Sequence, residues 1–277
     1  MTPEPFGARL RAATEARGPL CAGIDPHPAL LAEWGLPDDV GGLERFARTV
    51  VDALADRVAV LKPQSAFFER FGSRGVAVLE SAVADARSAG ALVLMDAKRG
   101  DIGSTMAAYA GAYLDPGSPL FSDAVTASPY LGYESLRPAF DLAHRHGGGV
   151  FVLALTSNPE GPEVQRATAP DGRQVGRLML DHLAAENAGA EPLGSFGAVV
   201  GATLERAGFP LGINGPLLAP GIGAQGATPA DLPRIFGSAV REVLPSVSRG
   251  VLRAGPSPSG LRATADRYAA ELAESLG

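Results

Sequence analysis

Lysine is nearly absent from this chain. Its 277 residues contain two, Lys62 and Lys98, against 22 arginines, so almost every positive charge sits on a group that never releases its proton. A lysine ammonium is a compact charge whose proton affinity can be shifted by its surroundings, which directs attention to those two positions. Cysteine is scarcer still: the lone Cys21 excludes an internal disulfide framework and thiolate metal clusters, and its apolar neighbours predict a buried thiol in a reducing compartment. The four histidines, His27, His144, His146 and His182, offer no zinc-binding spacing, and no metal is expected. No run of about 18 uncharged apolar residues occurs, so no membrane span is expected. Met1 to Gly18, interrupted by Pro3 and Pro5 and carrying Arg9, Arg11 and Arg17, lacks the apolar stretch of a signal peptide, which predicts a cytoplasmic protein. A net charge of -6 gives no general attraction for nucleic acid, so a nucleotide-sized anion would need a local cationic pocket.

What is abundant is apolar residue, 46% of the chain, enough for a large core. Short apolar runs recur at Leu20 to Ile24, Arg57 to Leu61, Ala91 to Met95, Ala124 to Thr126, Val150 to Leu155, Phe196 to Val200, Leu217 to Ala219 and Pro245 to Ser248. Helical patterns intervene, among them Leu43 to Leu54, Gly75 to Ala89, Thr105 to Leu114, Tyr133 to His144, Val175 to Ala188 and Leu261 to Leu276. Eight strands alternating with helices predict an α/β fold, a (β/α)8 TIM barrel preceded by an extra N-terminal helix, with residues 1–277 forming one domain. The proline-rich Asn158 to Arg173 segment reads as a long loop after the fifth strand.

In such a barrel, chemistry gathers just past the C-terminal ends of the strands. Asp25, Lys62, Asp96, Lys98, Ser128 and Arg249 all occupy such places. Residues two apart on a strand share a face, so Asp96 and Lys98 should project together into the mouth. Asp101 follows in a glycine turn before a helix that Ser104 or Thr105 could cap. Carboxylates and an ammonium packed this closely cost several kcal/mol unless paired, an expense that usually marks function.

The segment Leu94-Met95-Asp96-Ala97-Lys98-Arg99-Gly100-Asp101-Ile102-Gly103-Ser104-Thr105 resembles the signature of the orotidine 5′-phosphate decarboxylases. Gly23-Ile24-Asp25-Pro26, Leu61-Lys62-Pro63-Gln64, Thr126 to Gly132, Leu155 to Pro159 and Ala219 to Gly226 match further segments in the family's order, and together resemble its longer bacterial, mycobacterial-type branch. The resemblance implies conversion of orotidine 5′-phosphate to uridine 5′-phosphate and carbon dioxide, in pyrimidine biosynthesis, without metal or organic cofactor. Lys98 would protonate C6 of the pyrimidine, Asp96 would lie by the substrate carboxylate and hold Lys98, and Asp25 and Lys62 would bind ribose hydroxyls. Lys62 would also extend the charge chain of Asp96, Lys98 and Asp101. Asp101, Ile102 and Thr105 would reach the neighbouring site of a homodimer. Ser128 would bind the pyrimidine amide, and Gln225, Arg249 and Gly250 the phosphate. Here Ser248-Arg249-Gly250 reverses the usual glycine-arginine order, which leaves Arg253 as the alternative phosphate ligand.

Two other enzyme readings remain. Gly221 to Gly226 satisfies G-x-G-x-x-G, with Glu242 about 20 residues on, as in dinucleotide-binding units, although Glu242 falls in an amphipathic stretch rather than at a strand end. A magnesium-dependent sugar-phosphate lyase or decarboxylase of the same barrel group can share D-x-K-x-x-D. A non-catalytic phosphate-binding barrel is the third alternative.

Overall fold

The computed structural model describes residues 3–204 and 207–277. Eight parallel strands close into a barrel in sequence order: β1 (Cys21–Ile24), β2 (Val60–Pro63), β3 (Leu92–Arg99), β4 (Ala124–Ala127), β5 (Gly149–Leu155), β6 (Phe196–Val200), β7 (Leu217–Pro220) and β8 (Val243–Val247). β8 pairs with β1 through Cys21 with Ser246 and Ala22 with Val247, completing the ring. Helices Val40–Leu54, Gly72–Ser88, Gly103–Leu114, Arg137–His146, Val175–Glu186 and Pro258–Leu276 pack outside it. Between Val200 and Leu217 the described residues contain no helix, and β7 reaches β8 through short turns of helix only. No helix among the described residues is long and apolar enough to cross a membrane.

The strands are buried on both faces, which is why they read as near-continuous apolar runs. Alternate residues nevertheless enter different cores. Val93, Met95, Val125, Val150 and Val152 pack outward against the helices. Cys21, Val60, Leu92, Leu94, Ala124, Phe151, Leu218 and Leu244 fill the barrel interior. The N-terminal helix Phe6–Arg17 adds Phe6 and Leu10 to that interior core. Phe6 is fully buried and meets Phe151 edge to face, with ring centroids 5.9 Å apart. Burial of such a side chain contributes about 1.5–3 kcal/mol. Gly149 makes room for it, since a Cβ there would collide with the Phe6 ring.

Following the inward positions toward the C-terminal ends, four strands change character at the same level. Val60 is succeeded by Lys62, Leu94 by Asp96, Ala124 by Thr126 and Leu244 by Ser246, all buried. The apolar floor therefore ends in a layer of polar side chains, Lys62, Asp96, Thr126 and Ser246, which period-two alternation delivers to the mouth.

Candidate active site

Asp96 is the centre of this layer, with 9% of its surface exposed. Its Oδ2 accepts from Lys62 Nζ at 2.7 Å and its Oδ1 from Lys98 Nζ at 2.5 Å. Thr126 Oγ1 donates to Oδ1 at 3.0 Å. Burial acts to raise the Asp96 pKa, but the Lys62 and Lys98 ammoniums outweigh it and hold the carboxyl well below the usual carboxylate range. For Lys62, burial works to strip the proton, yet Asp96 and then Asp25 more than offset it, so the ammonium is held above the ordinary lysine range. Lys62 is thus a fixed charge. Below it, burial pushes the Cys21 thiol up to about 12, leaving it neutral.

Lys98 differs: its side chain is 44% exposed and reaches the cleft from a backbone in the left-handed region, φ +48°. The pair Asp96 and Lys98 does converge, but through a bulge in β3 rather than the regular alternation expected of a strand end. Arg99 fastens the bulge from behind by an ion pair to Glu69.

These groups open into a cleft of about 580 Å³ at the C-terminal end of the barrel, lined also by Asp25, Thr156, Ser157, Gln225, Ser248 and Arg249. A larger groove of about 1000 Å³ lies between helices Val40–Leu54 and Gly72–Ser88, outside the barrel and remote from these charges. Asp25 Oδ1 and Ser248 Oγ are buried in the cleft without a protein hydrogen-bond partner, acceptors positioned for a ligand's hydroxyls. The β7 loop turns on Gly221, Gly223 and Gly226, all at positive φ, and is closed by Gly223 N–H to Ala227 O at 2.8 Å. It carries Gln225 to the rim near Arg249. This loop leads only to short helical turns within a closed barrel, and Glu242 sits in one of them, so the dinucleotide-binding context is missing. Among the described residues no group of three histidine, cysteine, aspartate or glutamate side chains is disposed to hold a metal ion.

The expected residues do not all meet. Arg249 lines the cleft whereas Arg253 is exposed and does not. Gly250 does not line it either; a Cβ there would lie 2.6 Å from Tyr268 Oη, so the glycine permits close packing behind Arg249. Ser128 is also outside: β4 ends at Ala127, and the Ser128 N–H donates to Arg99 O at 2.8 Å. Ser157, beyond β5, faces the cleft where Ser128 was expected to. Thr126 and Ser157 both lay within the matched segments, and the inward alternation from Ala124 was the signal for Thr126. Asp101, Ile102 and Thr105 stand apart from the cleft of their own chain. Asp101 Oδ1 accepts from the Ile102 N–H at 2.8 Å, and Ile102 is 61% exposed. The helix that follows starts at Gly103 with Ile102 at its N-cap position and no side-chain cap, so neither Ser104 nor Thr105 caps it.

Residues 18–263 match the family model described as Orotidine 5'-phosphate decarboxylase / HUMPS family. A Streptomyces coelicolor orotidine 5′-phosphate decarboxylase is 75% identical over 270 residues, 97% of each chain. One from Salinispora arenicola is 66% identical over 99% of each. A crystal structure assigned to the same activity, from Streptomyces avermitilis, superposes with a TM-score of 0.98 at 71% identity, covering 100% of this chain and 97% of that one. With the barrel, the charged layer at its mouth and these relatives in agreement, the chain belongs to the orotidine 5′-phosphate decarboxylase family.

Proposed function

We propose that residues 1–277 act as one catalytic domain that converts orotidine 5′-phosphate to uridine 5′-phosphate and carbon dioxide, in the cytoplasm and without metal or organic cofactor. The observation that carries this reading is the chain of Lys62, Asp96 and Lys98 at the barrel mouth, a proton-bearing cation held by a buried carboxylate. As the C6–carboxylate bond breaks, carbon dioxide departs and the electron pair stays on C6. That carbanion is not delocalised into the ring, so fixed charge must stabilise it. The Lys98 ammonium supplies the charge and then the proton, and the neutral amine is recharged from solvent. Asp96 keeps the ammonium in place and sets a negative charge near the departing carboxylate. Lys62, too strongly paired to release its proton, orients Asp96 and, with Asp25, takes the ribose hydroxyls. Arg249 and Gln225 grip the phosphate, a guanidinium fork suited to a dianion.

The same reading gives Asp101, Ile102 and Thr105 to the cleft of a second copy in a homodimer. Their distance from their own cleft and the exposure of Ile102 support it. Ser157 takes the pyrimidine contact expected of Ser128.

Purified protein incubated with orotidine 5′-phosphate and a chelator should release carbon dioxide at the rate seen without chelator. Absence of turnover would refute the activity, and turnover lost to the chelator would favour the magnesium-dependent relatives. For the shared site, Lys98→Ala and Asp101→Ala proteins, each inactive alone, should regain part of the activity when mixed. Failure of exchanged subunits to recover activity would confine Asp101 to its own chain.

A further inference from the structure

One side chain, Thr126, bonds both the backbone and the carboxylate of the bulge that carries Lys98. β3 and β4 are in register at Leu94 with Ala124 and Met95 with Val125, and again at Arg99 with Ala127. Four residues of β3 thus advance against two of β4, and the surplus contains both Asp96 and Lys98. Lys98 takes φ +48° there, a conformation that strains a non-glycine residue unless its surroundings over-determine it. In place of a ladder carbonyl, the Lys98 N–H donates to Thr126 Oγ1 at 2.9 Å. The same hydroxyl donates at 3.0 Å to Asp96 Oδ1, the oxygen that accepts from Lys98 Nζ at 2.5 Å. Backbone, hydroxyl, carboxylate and ammonium form a closed ring. Thr126 is 1% exposed, and its β-branch restricts the hydroxyl to few orientations.

We infer that Thr126 is a positioning residue: its hydroxyl locks the bulged Lys98 backbone and the Asp96 carboxylate into one arrangement that aims the Lys98 ammonium at the reacting carbon. The inference rests on the decarboxylase reading for its catalytic consequence. Its donor and one acceptor site are already engaged by protein, so Thr126 acts on the chemical step rather than on substrate affinity.

The scarcity of lysine supplies the test. Lysine labelled with ¹³C at Cε gives two signals in this protein, one for each of Lys62 and Lys98. In Thr126→Val the Lys98 signal should move while the Lys62 signal changes less. kcat should fall on the order of 100-fold, the scale of a misplaced reacting group, with KM within about twofold. Thr126→Ser keeps the hydroxyl and should restore both the signal and kcat. A Lys98 signal unchanged in Thr126→Val would overturn the inference. So would a raised KM at unchanged kcat, or a serine variant as impaired as the valine one. If Thr126→Val does not fold, Thr126→Ala carries the same readouts. The signals need no substrate: absent wild-type turnover would refute the proposed function, and the spectra would still decide whether Thr126 holds Lys98.

Discussion

Two buried aspartates mark the two ends of this barrel. At the mouth, Asp96 lies between Lys62 and Lys98; near the N-terminal helix, Asp123 lies between Arg9 at 2.5 Å and Arg87 at 3.4 Å. Both carboxylates are almost inaccessible, 9% and 4% exposed. Asp123 also accepts from the Val93 N–H at 2.9 Å, and Arg9 continues to Gly147 O at 2.9 Å, so this cluster ties the N-terminal helix to the strands. Its cations are guanidiniums that stay charged: Arg9 makes two directed bonds, and Arg87 adds its charge beside the carboxylate. At the mouth the cations are lysines, and one of them stands 44% exposed in a strained backbone. Only arginines hold Asp123 at the structural end, whereas both lysines of the chain stand at the mouth, Lys62 as a fixed charge and Lys98 as the proton donor of the proposed reaction.

Breaking either end should give opposite signatures. The largest effect is expected for Lys98→Ala, which should lower kcat by roughly 10⁴-fold, the upper range for loss of a general acid, with the urea midpoint little changed. Near-normal turnover would remove Lys98 from the reaction. Asp123→Asn should instead destabilise by about 3 kcal/mol, because partly buried arginines lose their partner, while kcat of the folded protein is retained. Urea unfolding beside initial rates would show it, and a stable but inactive protein would erase the contrast. Next, Arg249→Ala should raise KM on the order of 30-fold, the loss of a charged hydrogen bond to phosphate. Arg253→Ala, exposed and off the cleft, should change KM less than about twofold. The smallest effect concerns pH. Asp96 is held below the ordinary carboxyl range, so its stabilisation is complete above the unfolded value near about 3.9 and is lost as pH falls toward its folded value. Unfolding free energies taken from pH 7 downward (an interval around about 4 decides) should fall more steeply in wild type than in Asp96→Asn. Parallel curves would mean that the carboxylate is not held as described.

The contrast was only partly visible in the sequence. β6 runs over the expected Phe196–Val200, because both its ends are apolar. β2 was expected at Arg57 to Leu61 but spans Val60–Pro63, and β3 continues past Met95 to Arg99. In both cases the ladder runs on into the polar residues of the mouth, where the apolar signal has already stopped. β8 lies at Val243–Val247 rather than Pro245 to Ser248 for the complementary reason: Ser248 belongs to the rim. Asp25, Lys62, Asp96, Lys98, Gln225 and Arg249 could be placed at one cleft from strand ends and matched segments. The bulge could not, since positive φ at a lysine leaves no mark on residue type. Ser128 and Ser157 each follow a strand, and only the point at which each strand leaves the ladder separates them. Arg9 and Asp123 are 114 residues apart and pair only once the barrel is closed.

The most direct test of the division between arginine and lysine is Lys98→Arg, assayed for decarboxylation of orotidine 5′-phosphate after folding is verified. Arginine keeps the positive charge beside Asp96 but does not surrender its proton. The expected result is a loss of at least roughly 10³-fold in kcat, close to that of Lys98→Ala. Retention of kcat within about tenfold of wild type would contradict the account, because charge alone would then suffice and the lysine proton would not be what the reaction uses.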